Sequence, residues 1–235
     1  MEDRITPGLY LELGDTAPDA FESTRAPQLL ALPGVARVTW WATTLPGRTE
    51  LPMAVPDGTL LAVAETDDAF VAPPPPPATT ARHFRRYPRP GQGILTGRPT
   101  TGLLVVWISP VSPELASPLR DWADFIHIRT IAEAAVPGYT QITPYENVAG
   151  TDPRYMHFYE MDSPDPEATF QTMAEKLRVR LGGYRTPEFK RWADWTAAGA
   201  EIIYVNTFSL LGATGAAGAP GAGAVAPDVA GGDPV

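Results

Sequence analysis

Short apolar stretches of strand length alternate along this chain with segments in which apolar residues recur at helical spacing. Residues 103–109 are rich in β-branched and aromatic side chains and are apolar on both faces, which predicts a buried strand. Ser117 and Pro118 then supply an N-cap and a proline at the first helical position. The predicted helix ends at the Pro-Gly pair of residues 137–138. Its apolar positions are Leu119, Trp122, Phe125, Ile126 and Ile131.

The same kinds of pattern continue through the rest of this segment. Asp165-Pro166 opens a second helix, and Gly182-Gly183 ends it. A short helix with Thr186 as its N-cap comes next. Three further strands are predicted at residues 141–145, 154–161 and 201–211. The resulting order is βαββαβ, which is the order of a ferredoxin-like unit.

The chain contains an internal repeat whose copies lie roughly a hundred residues apart. The first copy is degenerate, because an unbroken proline run at residues 73–77 stands where its second helix would be. The predicted strands are apolar on both faces, so the sheet face without helices must be covered. We expect the two sheets to cover each other and to enclose a lumen. The matching segments are 8–13 with 102–107, 31–35 with 135–139, and 60–67 with 155–162.

The predicted organisation is an α+β fold of two ferredoxin-like repeats, the first degenerate, whose sheets pair into an α+β barrel. Residues 1–70 form the first repeat, and residues 71–100 form a proline-rich and basic linker. Residues 101–211 form the second repeat. Residues 212–235 are almost entirely Gly, Ala, Pro and Val, so we expect a disordered tail that cannot offset its ordering entropy.

Composition and charge narrow the class of protein. The 235 residues are 44% hydrophobic and 19% charged, which is enough for a substantial core. A net charge of −9 repels polyanions and argues against nucleic acid as a partner. The absence of cysteine excludes disulfides, thiolate metal sites and a cysteine nucleophile. The chain shows neither a signal peptide nor a run long enough to cross a bilayer, so we expect a cytoplasmic protein without membrane contact.

Several segments of the second repeat resemble the EthD-like branch of the dimeric α+β barrel superfamily. These segments are residues 122–128, 136–139, 145 and 154–160. Members of that branch carry a Trp-Tyr-x-x-x-His stretch on the first helix, a Pro-Gly turn, and a third strand similar to Tyr-Leu-x-x-Tyr-Glu. The resemblance covers residues 102–211 well and residues 6–67 weakly. This chain departs from it at Ala123, where an aromatic residue is frequent, and at Ser23, which stands in the first copy where His127 stands in the second.

His127 and Asp124 are the candidate catalytic residues. The resemblance places the family's helix histidine at His127. Asp124 lies one helical turn earlier, so its carboxylate can orient the imidazole and keep it near physiological pKa as a general base or acid. The alternative is a structural histidine that makes one hydrogen bond.

The candidate substrate-binding residues lie on strands. Tyr155, His157 and Tyr159 alternate along one face of the third strand of the second repeat, and they line the lumen if that face points inward. Tyr145 and Trp107 are further candidates for the wall. In the opposite orientation these rings pack between helix and sheet, and the sequence leaves both orientations open.

These residues predict a small-molecule enzyme of EthD-like type that needs no metal, haem or nucleotide cofactor. Its partner is a small hydrophobic or aromatic molecule, and its chemistry is proton transfer in a dehydration, cyclisation or isomerisation. Oxygenation of a phenol is a less favoured reaction. The alternative is a non-catalytic barrel that binds a metabolite or serves as a scaffold. No metal site is expected, because the three histidines lack close ligand spacing with a carboxylate. A homodimer stays open, since a duplicated barrel is not obliged to dimerise.

Overall fold

The computed structural model describes residues 6–51 and 53–215, which form nine β-strands and four helices. Eight of these strands have seven residues or more, and β5 is a two-residue extension beside β7. The strands are β1 Gly8–Gly14, β2 Val35–Thr43, β3 Leu60–Thr66, β4 Thr80–Arg86, β5 Gln92–Gly93, β6 Gly102–Pro110, β7 Tyr139–Asn147, β8 Tyr155–Met161 and β9 Ala200–Gly215.

The first helix of each half contains a π-helical turn. Helix α1 consists of Pro18–Ala20, the π-helical turn Phe21–Arg25, and Ala26–Leu30. Helix α2 consists of Ala116–Trp122, the π-helical turn Ala123–His127, and Ile128–Glu133. The other two helices are α3 Pro166–Arg180 and α4 Pro187–Ala193. Within the described residues, no helix is long and apolar enough to cross a membrane.

Side-chain caps explain where α3 and α4 begin. The Asp165 carboxylate accepts a hydrogen bond from the Ala168 N–H at 2.9 Å, and proline occupies the first turn, where no intrahelical donor is needed. The Thr186 hydroxyl accepts from the Phe189 N–H at 3.2 Å in the same way. Both starts were predicted from the sequence.

The eight long strands form one closed antiparallel barrel in the order β4-β1-β3-β2-β9-β6-β8-β7. Pairing of β4 with β7, where Arg85 lies opposite Glu146, closes it. The strands β1–β4 and β6–β9 each show the order 4-1-3-2 of a ferredoxin-like sheet, and the pairs β2–β9 and β4–β7 join the two halves. The predicted α+β fold, with two ferredoxin-like sheets paired into a barrel, is confirmed.

Strand β4 lies within residues 71–100, where the sequence analysis expects a linker. The proline run does replace the second helix of the first half, but the chain becomes a strand at Thr80. Phe84 is completely buried in the barrel interior, and β4 pairs with both β1 and β7. Arginines at 82, 85 and 86 conceal this strand in the sequence, because a basic run is typical of a solvated linker.

Strand β9 extends to Gly215, four residues beyond the predicted end of the second repeat. Gly212 lies against the Trp40 ring, where a Cβ atom would come within 2.2 Å of a ring carbon. Only glycine permits this close approach, so part of the glycine content of the tail belongs to the sheet. The remainder of the expected tail, from residue 216, lies outside the described residues.

Side chains from all eight barrel strands fill the barrel interior. Trp107, Phe84 and Tyr204 are fully buried there, and the Trp107 ring centroid lies 5.1 Å from that of Tyr204 and 6.0 Å from that of Phe84. Met156 and Phe158 of β8 belong to the same cluster. The interior is therefore a packed core where an open lumen was expected.

A second apolar layer lies outside the barrel, between its strands and the helices. Helices α2, α3 and α4 cover the sheet of β6–β9, and α1 covers β1, β2 and β3. The outward faces of these strands are consequently also buried, which explains why the strands are apolar on both faces.

Replacing Phe84 with alanine tests whether β4 is part of the barrel. We expect Phe84→Ala to lower the free energy of unfolding by about 3–5 kcal/mol, because it leaves a cavity in the core. The exposed neighbour variant Arg85→Ala should stay within about 0.5 kcal/mol of the wild type. Denaturant unfolding measures both, and equal effects of the two substitutions would show that β4 is a linker.

Candidate functional site

Four charged or titratable side chains converge between α2 and β8, in the layer between helices and barrel. His157 Nε2 lies 3.0 Å from Asp124 Oδ1, and Arg120 Nε lies 2.8 Å from Asp124 Oδ2. Arg89 approaches the same Oδ2 at 3.3 Å and donates to the Arg120 carbonyl oxygen at 3.1 Å. Asp124, His157 and Arg120 are buried. We call these four residues the Asp124 cluster.

Three separate segments position the Asp124 cluster. Arg120 and Asp124 lie four residues apart on α2, which places them on one face of the helix. His157 lies on the outward face of β8, because its neighbours Met156 and Phe158 point into the barrel. Arg89 comes from the segment between β4 and β5 and reaches the cluster from the solvent side.

The electrostatic environment of the cluster determines the protonation states of Asp124 and His157. Burial alone would raise the pKa of Asp124, but the hydrogen bond from His157 and the charges of Arg120 and Arg89 outweigh it and hold that pKa below its ordinary value. Burial lowers the pKa of His157, and the neighbouring Asp124 opposes this only in part. At neutral pH Asp124 is ionised and His157 is neutral. Because a carboxylate only accepts, His157 carries its proton on Nε2 and a lone pair on Nδ1.

Several buried polar atoms around the cluster have no hydrogen-bond partner among the described residues. In the cluster these are Nδ1 of His157 and both Nε and Nη2 of Arg120, whose Nε forms an ion pair with Asp124 outside hydrogen-bond geometry. The hydroxyl of Tyr139 and Nε1 of Trp192 are unpaired in the same apolar layer. Buried polar groups in folded proteins are nearly always paired, so each such atom needs an explanation. Donors and an acceptor that face an apolar layer are the features that orient a small ligand.

His127 lies in an aromatic cluster between α2 and α4. Its ring stacks on Trp192 with centroids 5.1 Å apart and an interplanar angle of 4°, and Trp195 and Trp122 lie 4.4 Å and 5.0 Å away. Its Nδ1 is 3.0 Å from the Trp192 carbonyl oxygen. Burial lowers the pKa of His127 to about 3. This environment is that of a structural histidine.

Asp124 is hydrogen-bonded to His157, contrary to the expectation that it orients His127. The reason is local: residues 123–127 form a π-helical turn, which has more residues per turn than an α-helix. Asp124 and His127 are therefore not stacked on one face as their spacing suggested. Asp124 faces the barrel and His127 faces α4.

The five predicted wall residues divide between the two faces of the sheet. Tyr155, His157 and Tyr159 face the helices, whereas Trp107 and Tyr145 belong to the packed barrel interior. The Tyr155 ring centroid lies 4.6 Å from the Arg120 guanidinium carbon, and the Tyr159 ring lies 6.4 Å from that of His157. The helix-facing group therefore presents its side chains to the Asp124 cluster, whereas Tyr145 reaches it only through its backbone carbonyl, which accepts from Arg120 Nη1 at 3.1 Å.

Sequence reasoning missed Arg120, Arg89 and Tyr87. The Arg120 guanidinium carbon is 3.6 Å from the Tyr87 ring centroid and 4.6 Å from that of Tyr155, so both rings make cation–π contacts with it. The four-residue spacing from Arg120 to Asp124 is a signal that could have found this pair. Arg89 belongs to a basic stretch that the sequence favours as a solvated linker, with a clamp for a carboxylate or phosphate as the alternative, and nothing in its spacing indicates a contact with α2.

Two shallow surface depressions lie outside the barrel. One of about 310 Å³ is lined by Arg86, Tyr87, Pro88, Arg89 and Pro90, which form the segment that covers the Asp124 cluster. The other, of about 640 Å³, is lined by residues of α3 and by Ala134 at the end of α2. The described residues contain no group of three or more side chains suited to a metal ion.

No protein-family model and no curated protein matches this sequence. Solved structures match its fold over most of their length. An anthrone oxidase-like protein is 14% identical, with 89% of this chain and 93% of that chain covered and a TM-score of 0.53. A candidate monooxygenase from Fusobacterium nucleatum subsp. nucleatum is 9% identical, with 90% and 95% covered and a TM-score of 0.52. A major regulator of staphylococcal pathogenesis is 9% identical, with 87% and 99% covered and a TM-score of 0.51.

Together with the strand order of the two halves, these similarities decide the fold. The chain has a ferredoxin-like α+β barrel fold. Both sheets of this barrel come from one polypeptide. At such low identity the similarity establishes only the fold, so the chemistry must be argued from the side chains of this chain.

The buried state of His127 makes stability depend on pH. In the unfolded chain a histidine titrates near about pH 6.5, so between that pH and about 3 the unfolded state binds a proton that the native state excludes. The free energy of unfolding should therefore decrease as pH falls through this window, by up to about 1.4 kcal/mol per pH unit.

The variant His127→Phe keeps an aromatic ring against Trp192 and removes the titrating group. Urea unfolding between about pH 4 and pH 7 should show a pH slope smaller by nearly one proton than that of the wild type. The half-buried His83 supplies the matched control, since His83→Gln should retain the contribution of His127. An unchanged slope in His127→Phe would mean that His127 is exposed to solvent.

Proposed function

We propose that this protein is a small-molecule enzyme of EthD-like type in which His157, held by Asp124, transfers a proton on a hydrophobic oxygenated substrate. One observation carries the proposal. His157 Nε2 contacts Asp124 at 3.0 Å, while its buried Nδ1 has no partner among the described protein atoms. The proton-transfer chemistry is that expected from the sequence, and the base moves from His127 to His157.

The electrostatic state of His157 suits a general base. The imidazole is neutral at physiological pH and offers Nδ1 to a substrate proton. The imidazolium that forms then lies against the ionised Asp124, and their attraction is strong because both groups are shielded from water. Dehydration, cyclisation and isomerisation need little more than such a base in an apolar site. The proposal includes no metal, haem or nucleotide cofactor.

The surroundings of His157 favour a hydrophobic or aromatic substrate. Leu104 and Val106 of β6, Ile142 of β7 and Leu119 of α2 belong to the apolar layer that encloses the cluster. Tyr155 and Tyr159 contribute the substrate-binding rings in this proposal. Trp107 and Tyr145 have no part in it, because they lie in the barrel interior.

The packed barrel interior favours a second candidate function, a non-catalytic barrel that binds a metabolite or serves as a scaffold. His157 is fully buried, so a substrate reaches it only if part of the surrounding structure moves. We further propose a cytoplasmic location, which suits a chain that has no cysteine and therefore no disulfides. A homodimer stays a prediction.

Anthrone is a suitable first probe, since it is a hydrophobic ketone with an acidic C–H, and one solved structure of this fold is anthrone oxidase-like. We expect the protein to accelerate exchange of the anthrone C10 hydrogen in D₂O. Substitution His157→Gln, which keeps a donor for Asp124 and removes the base, should lower this rate about a hundredfold or more. NMR measures the exchange, and thermal unfolding confirms that each variant is folded.

His83→Gln is the control, because His83 lies on β4, in the other half of the barrel. Its exchange rate should equal that of the wild type. If wild-type protein does not exceed the rate in buffer, the non-catalytic alternative gains support. If His157→Gln is folded and as active as the wild type, His157 is not the base.

A further inference from the structure

Arg120 is a buried cation outside the proposed proton-transfer pair. Its residue exposure is 1%, and its charge must be compensated within the protein. Nη1 donates to the Tyr145 carbonyl oxygen at 3.1 Å, and Nε makes the ion pair with Asp124. Nη2 is buried without a hydrogen-bond partner among the described residues.

The Asp124 cluster contains more N–H donors than the single Asp124 carboxylate can accept hydrogen bonds from. The two Asp124 oxygens face His157, Arg120 and Arg89. The other carboxylate beside Arg89 is Asp121, whose side chain is 60% exposed. A buried guanidinium frequently donates two parallel hydrogen bonds to one carboxylate, whereas Arg120 contacts Asp124 through Nε alone.

The shape of the site restricts how another anion can approach Arg120. The Arg120 guanidinium carbon lies 3.6 Å from the Tyr87 ring centroid and 4.6 Å from that of Tyr155, and Nη2 is the guanidinium atom that a further acceptor would satisfy. Two flanking rings also suit a flat ligand whose acidic group lies in its own plane.

We propose that Arg120 is the recognition residue for a carboxylate on a flat aromatic ligand, which binds through Nη2. This deepens the proposed function and rests on it for the location of the substrate, because Arg120 and His157 share the carboxylate of Asp124. The ligand enters beneath the segment of Tyr87 and Arg89, which lines the depression of about 310 Å³. Its carboxylate supplies the acceptor that Arg120 Nη2 lacks among the described residues.

The test compares 2-naphthoate with 2-naphthamide, which share shape and differ in charge. We expect the wild type to bind 2-naphthoate at least about tenfold more tightly, as measured by calorimetry. Arg120→Met should abolish this preference. The control is Arg154→Gln, because Arg154 also lies against Tyr155, at 6.0 Å, but is partly exposed and paired with Glu146. This variant should keep the full preference.

A second measurement uses the wild-type protein, in which Arg120 is retained. In ¹⁵N spectra of the wild type, 2-naphthoate should shift the Arg120 Nε–H signal, assigned through Arg120→Lys, and 2-naphthamide should not. Equal affinity for the two probes, or a preference that survives in folded Arg120→Met, would overturn the proposal. If the preference for 2-naphthoate is present but anthrone exchange is absent, the binding role of Arg120 stands and the catalytic role of His157 fails.

Discussion

Closure of the sheet between β4 and β7 is the constraint on which the rest of the structure depends. A closed sheet has an inside and an outside, so each strand sends alternate side chains into a packed interior and the others toward the helices. In β8 the interior receives Met156 and Phe158, and His157 is therefore directed at α2. The polar chemistry of the second half lies outside the barrel for this reason.

Asp124 connects that outer layer. A buried carboxylate is costly unless it is paired, and its three partners come from α2, from β8 and from the segment before β5. Removal of one partner from such a network costs on the order of 3–5 kcal/mol, since it leaves a buried charge uncompensated. The residues proposed to bind and transform a ligand therefore also hold α2 and the covering segment against the barrel.

The sequence carried the repeated βαββαβ order and the pairing of two sheets, because strands that are apolar on both faces must be covered on both. It did not reveal β4, where arginines alternate with Phe84 and outweigh its apolar signal. The sequence also could not predict which face of β8 points into the barrel, since aromatic residues occupy both of its faces. The pairing of Asp124 depended on tertiary structure: the π-helical turn removes the expected contact with His127, and β8 supplies His157.

The central claim is that Asp124 fixes His157 as the neutral tautomer with its proton on Nε2 and a free lone pair on Nδ1. Long-range ¹H–¹⁵N spectra of the imidazole rings measure this directly in the folded protein. We predict that His157 shows the Nε2–H pattern at neutral pH, and that Asp124→Asn changes it. An imidazolium, or a proton on Nδ1, would contradict the claim and leave the Asp124 cluster as a structural ion network.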